Sequence, residues 1–125
     1  MSNLFGIIPT PPPIQPKSNV YDLKARLDWG EPALTILDVR DRLEFNAGHI
    51  QGAISLPLAA LVDRALSSLD LERDLYVYDE TDDMSATAAQ HLRTAGYKNV
   101  SELRGGFPAW KAVGFPIEAI AATAP

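Results

Sequence analysis

A chain of 125 residues that is 46% hydrophobic and 22% charged fits one domain able to bury about two thirds of its unfolded surface, and this composition excludes wholesale disorder. A formal charge of −5 argues against a general nucleic-acid binder, whose affinity comes largely from Lys and Arg neutralising phosphates. The absence of cysteine excludes a thiolate nucleophile, a persulfide, a disulfide or a Cys-ligated metal.

The chain opens with MSNLFGIIPTPP, which lacks a cationic region before its short apolar patch, and no apolar stretch approaches the ~20 residues that span a bilayer. A cytoplasmic location is therefore expected. Residues 9–16, PTPPPIQP, hold five of the ten prolines, so residues 1–17 read as a stiff, extended arm. Two Pro-x-x-Pro spacings (Pro9 to Pro12, Pro13 to Pro16) could dock on a proline-reading module, although a plain linker is the simpler reading of so common a pattern.

From residue 18 to 118 strand and helix signals alternate. Asn19 and Asp22 form a capping-box pattern, and Val20, Leu23 and Leu27 follow at helical spacing up to Gly30. LTILDV (34–39) reads as a buried strand, DRLEFNAG (41–48) as a short helix, AISL (53–56) as a brief strand and LAALVDRALSSL (58–69) as an amphipathic helix. LYVY (75–78) is the second clear buried strand. A loop over 79–83 then leads into an Ala-rich helix starting near Met84 or Ser85 and stopping at Gly96. NVSEL (99–103) supplies another strand, Gly105 and Gly106 a turn, and FPAWKAVG (107–114) a last helix. AIAATAP (119–125) reads as a flexible tail. This alternation predicts an α/β domain with a mostly parallel sheet of about five strands between two helical layers. In such sheets ligands are handled at the carboxyl ends of strands, which directs attention to the loop after Tyr78.

That loop begins DETDDMS and carries four carboxylates in five residues: Asp79, Glu80, Asp82 and Asp83. Taken with LDVRDRLEFNAGHIQGAISLPL (37–58), HLRTAGYKNVSEL (91–103) and GGFPAWKAVGFPIE (105–118), it resembles the rhodanese-like domains over residues 18–118. In active members the corresponding loop starts with a cysteine. It continues through glycine and arginine, so that inward-facing amides and a nearby cation hold a thiolate, a persulfide or an anionic substrate. The resemblance sets Asp79 at the cysteine position, Glu80 and Met84 at positions commonly basic, and Asp82 at one often glycine. It implies that sulfurtransferase activity, and the related cysteine-dependent phosphatase activity, is lost. A carboxylate cannot carry a stable persulfide, and its neighbours repel dianions. No cofactor and no metal are then expected. The domain would serve as a binding or regulatory module for an unidentified protein partner, its candidate contact surfaces being the Pro-rich arm and the carboxylates Asp79, Glu80, Asp82 and Asp83 of the former active-site loop (Asp79, Glu80, Thr81, Asp82, Asp83, Met84, Ser85).

Several residues read as structural. Asp38 and Arg40, two apart at a strand end, face the same side and can pair. His49 reads as a hydrogen-bonded structural group, Gly105 and Gly106 as a turn with unusual backbone angles, and Trp110 as the anchor of the last helix. Two other chemistries fit the acidic loop. Asp79 and Thr81 after four apolar residues are similar to the Asp-x-Thr of haloacid-dehalogenase-type, Mg-dependent phosphotransferases, but no convincing acidic pair follows to hold the metal. The four carboxylates could also bind a divalent cation, yet they lack the spacing of an EF-hand. Capping of a helix N-terminus accounts for them without any ligand.

Overall fold

The structure, a computed structural model, describes residues 13–30 and 33–120. Most of the expected arm and residues 121–125 of the tail lie outside the described residues. The elements in chain order are β1 (Lys17–Ser18), α1 (Val20–Asp28), β2 (Leu34–Asp38), α2 (Arg42–Ala47), β3 (His49–Ile50) and β4 (Ile54–Ser55), followed by a 3₁₀ turn at Leu58–Ala60. Then come α3 (Leu61–Ser68), β5 (Asp74–Tyr78), α4 (Asp82–Thr94), β6 (Val100–Leu103), α5 (Gly106–Ala112) and β7 (Ile117–Glu118).

Five strands form one parallel sheet in the order β1-β6-β5-β2-β4. Period-two alternation splits the core between its faces. Leu37, Val39, Leu75 and Val77 point toward α3 and α4, where they meet Leu61, Ala65, Ala88 and Leu92. Ile36, Tyr76 and Tyr78 point the other way and pack with Leu23 of α1, Phe45 of α2 and Trp110 of α5. Both faces are thus apolar, which is why β2 and β5 read as continuous hydrophobic runs. The result is the expected three-layer α/β sandwich. Among the described residues no helix is long and apolar enough to cross a membrane.

Local chemistry explains most boundaries. Helix α1 is closed by a full capping box, Asn19 Oδ1 accepting from the Asp22 amide and Asp22 Oδ2 from the Asn19 amide, both at 2.9 Å. The segment 58–69 is not one helix. The Leu58 amide is drawn to the Val39 carbonyl at 3.3 Å, so the first turn winds as 3₁₀ and the α-helix starts only at Leu61. Lys17, read as the last residue of the arm, instead pairs with Glu102 in the sheet. The Glu102 amide and Arg93 Nη2 donate to the Pro16 carbonyl at 2.9 and 3.1 Å, covering the edge of β6. A small antiparallel sheet of β3 and β7 ties the segment after α2 to the last strand of the domain.

Beyond β2 the chain steps outward to β4, and it returns to place β5 on the other flank of β2. The order therefore reverses between β2 and β5, and a crevice opens at their carboxyl ends. Arg40 follows one strand and Asp79 the other.

Candidate functional site

Alternation along β5 sends Tyr78 to the α1/α2/α5 face and Asp79 to the opposite one. The two ends are stitched together by the Val39 amide, which donates to the Tyr78 carbonyl at 3.1 Å. Under the Tyr78 side lies a buried polar network. Arg40 Nε and Nη2 donate to the Asp38 carboxylate at 2.7–3.2 Å. Arg40 Nη2 also donates to the Gly48 carbonyl, and the Tyr78 hydroxyl donates to Asp38 Oδ2. Tyr78 in turn accepts from the Ile50 amide at 3.1 Å. Burial works against the guanidinium charge of Arg40, but the bonds and charge of Asp38, then of Glu80, outweigh it and raise its pKa. Burial, with the Asp38 charge beside it, pushes the Tyr78 phenol well above its ordinary range. Asp38 and Arg40 are therefore a buried, fully engaged pair.

The loop after β5 is shorter than its sequence suggests. Thr81 is the N-cap of α4, its Oγ1 accepting from the Met84 amide at 3.3 Å, so Asp82 and Asp83 form the first helical turn and Ser85 lies in the second. Acidic side chains belong there, where they complement the exposed amides and the helix dipole. Ser85 is buried and braces the loop: its Oγ accepts from the Asp79 amide at 2.9 Å and donates to the Thr81 carbonyl at 3.0 Å.

The four carboxylates do not form one acidic face. Glu80 Oε1 accepts from Arg40 Nη1 at 2.9 Å. Asp82 Oδ1 accepts from the Gly105 amide at 2.7 Å, and its Oδ2 lies 3.7 Å from Arg104 Nε. Asp83 is exposed, and its carboxylate has no partner among the described residues. Asp79 is only 3% exposed, because the loop folds back over it; it was expected on the contact surface, and it lies instead at the floor of a cleft. Its Oδ1 accepts from the Glu80 amide at 2.7 Å. Burial foremost raises the Asp79 pKa, and the Asp38 and Glu80 charges add to this. The Glu80 amide and Arg40 oppose it in part.

The Gly105–Gly106 turn closes the back of the loop. Both residues have positive φ, +80° and +57°, and a Cβ on Gly106 would overlap the Asp79 carbonyl oxygen. Only glycine lets α5 approach so near that the Phe107 amide donates to this carbonyl at 3.1 Å. Trp110, 1% exposed, anchors α5 on the core, with Nε1 donating to the Pro116 carbonyl at 2.8 Å. His49 stacks on Phe45 and donates from Nδ1 to its carbonyl at 2.7 Å. Its Nε2 lies 3.6 Å from Glu118 Oε1 across the small sheet.

In front of Asp79 opens a cleft of about 730 Å³. Its walls include Asp41 and Glu44 from the segment after β2, Leu58 from the 3₁₀ turn, Val62 and Asp63 from α3, and Met84 and His91 from α4. Apart from Asp79 and Met84, these residues carry no signal in a linear reading, since three separate crossovers bring them together. Among the described residues no three His, Cys, Asp or Glu side chains converge to hold a metal ion.

The rhodanese-like domain family matches residues 19–113. This chain belongs to that family. The rhodanese-like domain of the Alr3790 protein from Anabaena sp., determined in solution, is 53% identical, with 90% of this chain and 86% of that one covered and a TM-score of 0.83. A crystal structure of the Alr3790 protein gives 56% identity, 82% coverage of each chain and a TM-score of 0.80. The thiosulfate sulfurtransferase GlpE of Coxiella burnetii is 38% identical over 79 residues, 63% of this chain and 73% of that protein. An HTH-type transcriptional regulator of Mycobacterium tuberculosis is 37% identical over 99 residues, 78% of this chain and 42% of its own length. With a Synechocystis protein covered over 48% of its length, the chain spans about half the length of such curated relatives.

Within the family fold, the position expected for the catalytic cysteine holds Asp79, and the chain has no cysteine at all. Rhodanese chemistry needs a nucleophilic, polarizable sulfur that can accept and release sulfane sulfur. A carboxylate oxygen does neither. The Glu80 amide, which could have joined an anion cradle, is taken by Asp79 itself, and the Arg40 guanidinium is divided among Asp38, Glu80 and Gly48. The site is a rhodanese pocket without its sulfurtransferase machinery.

Proposed function

We propose that this rhodanese-like domain acts as a binding or regulatory module for a protein partner, with the mouth of the former active site as its contact surface. The observation that carries the reading is the pairing of an intact family fold with an acidic, cysteine-free loop at its ligand end. Asp82 and Asp83 stand exposed on the first turn of α4, and such a rim favours a basic partner surface. The Pro-rich residues 1–17 offer a second contact segment beside the domain at 18–118, with 119–125 as a tail.

Two measurements test this. Sulfur transfer from thiosulfate to cyanide is expected to be undetectable, and turnover that disappears in Asp79→Asn would overturn the non-catalytic reading. A partner captured by the chain is expected to be lost when Asp82 and Asp83 both become Asn. Capture unchanged by that double substitution would remove the loop from the interface. Mg²⁺-dependent phosphate release would assign the loop to carboxylate phosphotransfer instead.

A further inference from the structure

The cleft in front of Asp79 has a chemistry of its own, distinct from the exposed first turn of α4. Asp41, Glu44 and Asp63 line it, and none of their carboxylates makes a hydrogen bond or ion pair among the described residues. Asp79 lines it as well, 3% exposed, with a bond to Oδ1 and none to Oδ2 among the described residues. The one guanidinium in the wall, Arg40, is held by Asp38, Glu80 and Gly48. The same walls carry the apolar side chains of Leu58, Val62 and Met84, the last 48% exposed, together with His91.

Apolar wall residues beside a carboxylate that holds a single hydrogen bond match a side chain with an aliphatic stem and a cationic head. The volume, about 730 Å³, lies in the range of clefts that enclose most of a sizeable ligand, so it takes several residues of a peptide and not an isolated side chain.

We propose that the cleft receives a lysine or arginine side chain of a protein partner, its stem on Leu58, Val62 and Met84 and its cationic head at Asp79. This rests on the binding-module reading and narrows it to a buried anchor. The rim carboxylates Asp41, Glu44 and Asp63 draw the basic segment in and contribute mainly to its rate of association. Asp79, desolvated and poorly supplied with donors, makes the contact that fixes position. The pocket thereby favours cations where the sulfur-transferring relatives handle anions.

The test uses the full chain against an array of nine-residue peptides, each with one fixed central residue and mixed flanks, with binding read by fluorescence. Lys and Arg at the centre are expected to bind at least tenfold above Gln or Ala. That preference is expected to collapse in Asp79→Asn and to weaken in the pair Glu44→Gln and Asp63→Asn. The pair changes only exposed residues, so it keeps the test open if Asp79→Asn fails to fold. A basic preference that survives both variants but is lost in the pair Asp82→Asn and Asp83→Asn would overturn the cleft anchor and leave the loop as the docking surface. No basic preference in the unmodified chain would sink both. Competition by free N-acetyl-lysine amide at the affinity of the peptides would show a small-amine site and overturn the protein partner.

Discussion

Replacing Arg40 by Met tests whether the buried ion pair beneath the cleft holds together the two loops at the carboxyl ends of β2 and β5. The substitution keeps most of the apolar stem but removes five hydrogen bonds: three to Asp38, one to Glu80 and one to the Gly48 carbonyl. Asp38 has no solvent exposure and would be left with only the Tyr78 hydroxyl and the backbone amide of residue 40 as donors. Breaking a buried pair from one side costs about 3–5 kcal/mol, because the remaining charge is uncompensated. That is a large share of the roughly 5–15 kcal/mol that stabilises a domain. In urea, with a slope near 2 kcal/mol/M, the midpoint should fall by about 2 M. If the uncompensated carboxylate is the cause, the double variant Asp38→Asn/Arg40→Met should recover about 1–3 kcal/mol relative to Arg40→Met alone. A midpoint shift below about 0.5 M, or a double variant no more stable than the single one, would refute the reasoning.

Gly106→Ala should cost about 2–4 kcal/mol by adding left-handed strain to an overlap with the Asp79 carbonyl; a melting temperature within a degree of the unmodified protein would contradict this. Because burial raises the Asp79 pKa, the folded state holds that proton more tightly than the unfolded chain, and the stability this contributes at low pH is lost as pH rises through the raised value. Asp79→Asn should therefore melt higher at pH 7, with the gap closing as pH falls toward the ordinary carboxylate range, and a gap independent of pH would exclude the charge as its source. Asp79→Cys alone should yield little thiocyanate from thiosulfate and cyanide, since the new thiol would keep Glu80 and Asp63 nearby and gain no free cation; strong turnover would show that loop charge matters less than stated.

The long central strands were legible because burial on both faces writes a continuous apolar run, as in 34–39 and 75–78. The two-residue strands His49–Ile50 and Ile117–Glu118 were not, for a pairing that joins residues nearly seventy apart leaves no local period to read. The start of α4 was misplaced for a related reason. Asp82 and Asp83 resemble loop residues in composition, yet after the Thr81 cap they occupy the turn where acids stabilise a helix. Similarly, the position of Asp79 at a strand end was visible, whereas its burial was not. That depends on Ser85, Phe107 and the Gly105–Gly106 turn converging from two later elements.

The same convergence explains how exchange of one nucleophile can reverse the preference of a pocket. A thiolate site stays receptive to anions only while its amides and its cation remain unsatisfied. Here Asp79 Oδ1 occupies the Glu80 amide, and Glu80 takes the outward-facing nitrogen of Arg40. Asp79 and Glu80 thus each remove a donor as well as adding a charge. What is left facing the cleft is a carboxylate oxygen that, like the three carboxylates around it, has no partner among the described residues. Restoring anion handling would accordingly need both changes together, a thiol at residue 79 and an Arg40 released from Glu80, for example in Asp79→Cys/Glu80→Gln. If that double variant transfers sulfur no better than Asp79→Cys alone, capture of the Arg40 charge is not what silences the site.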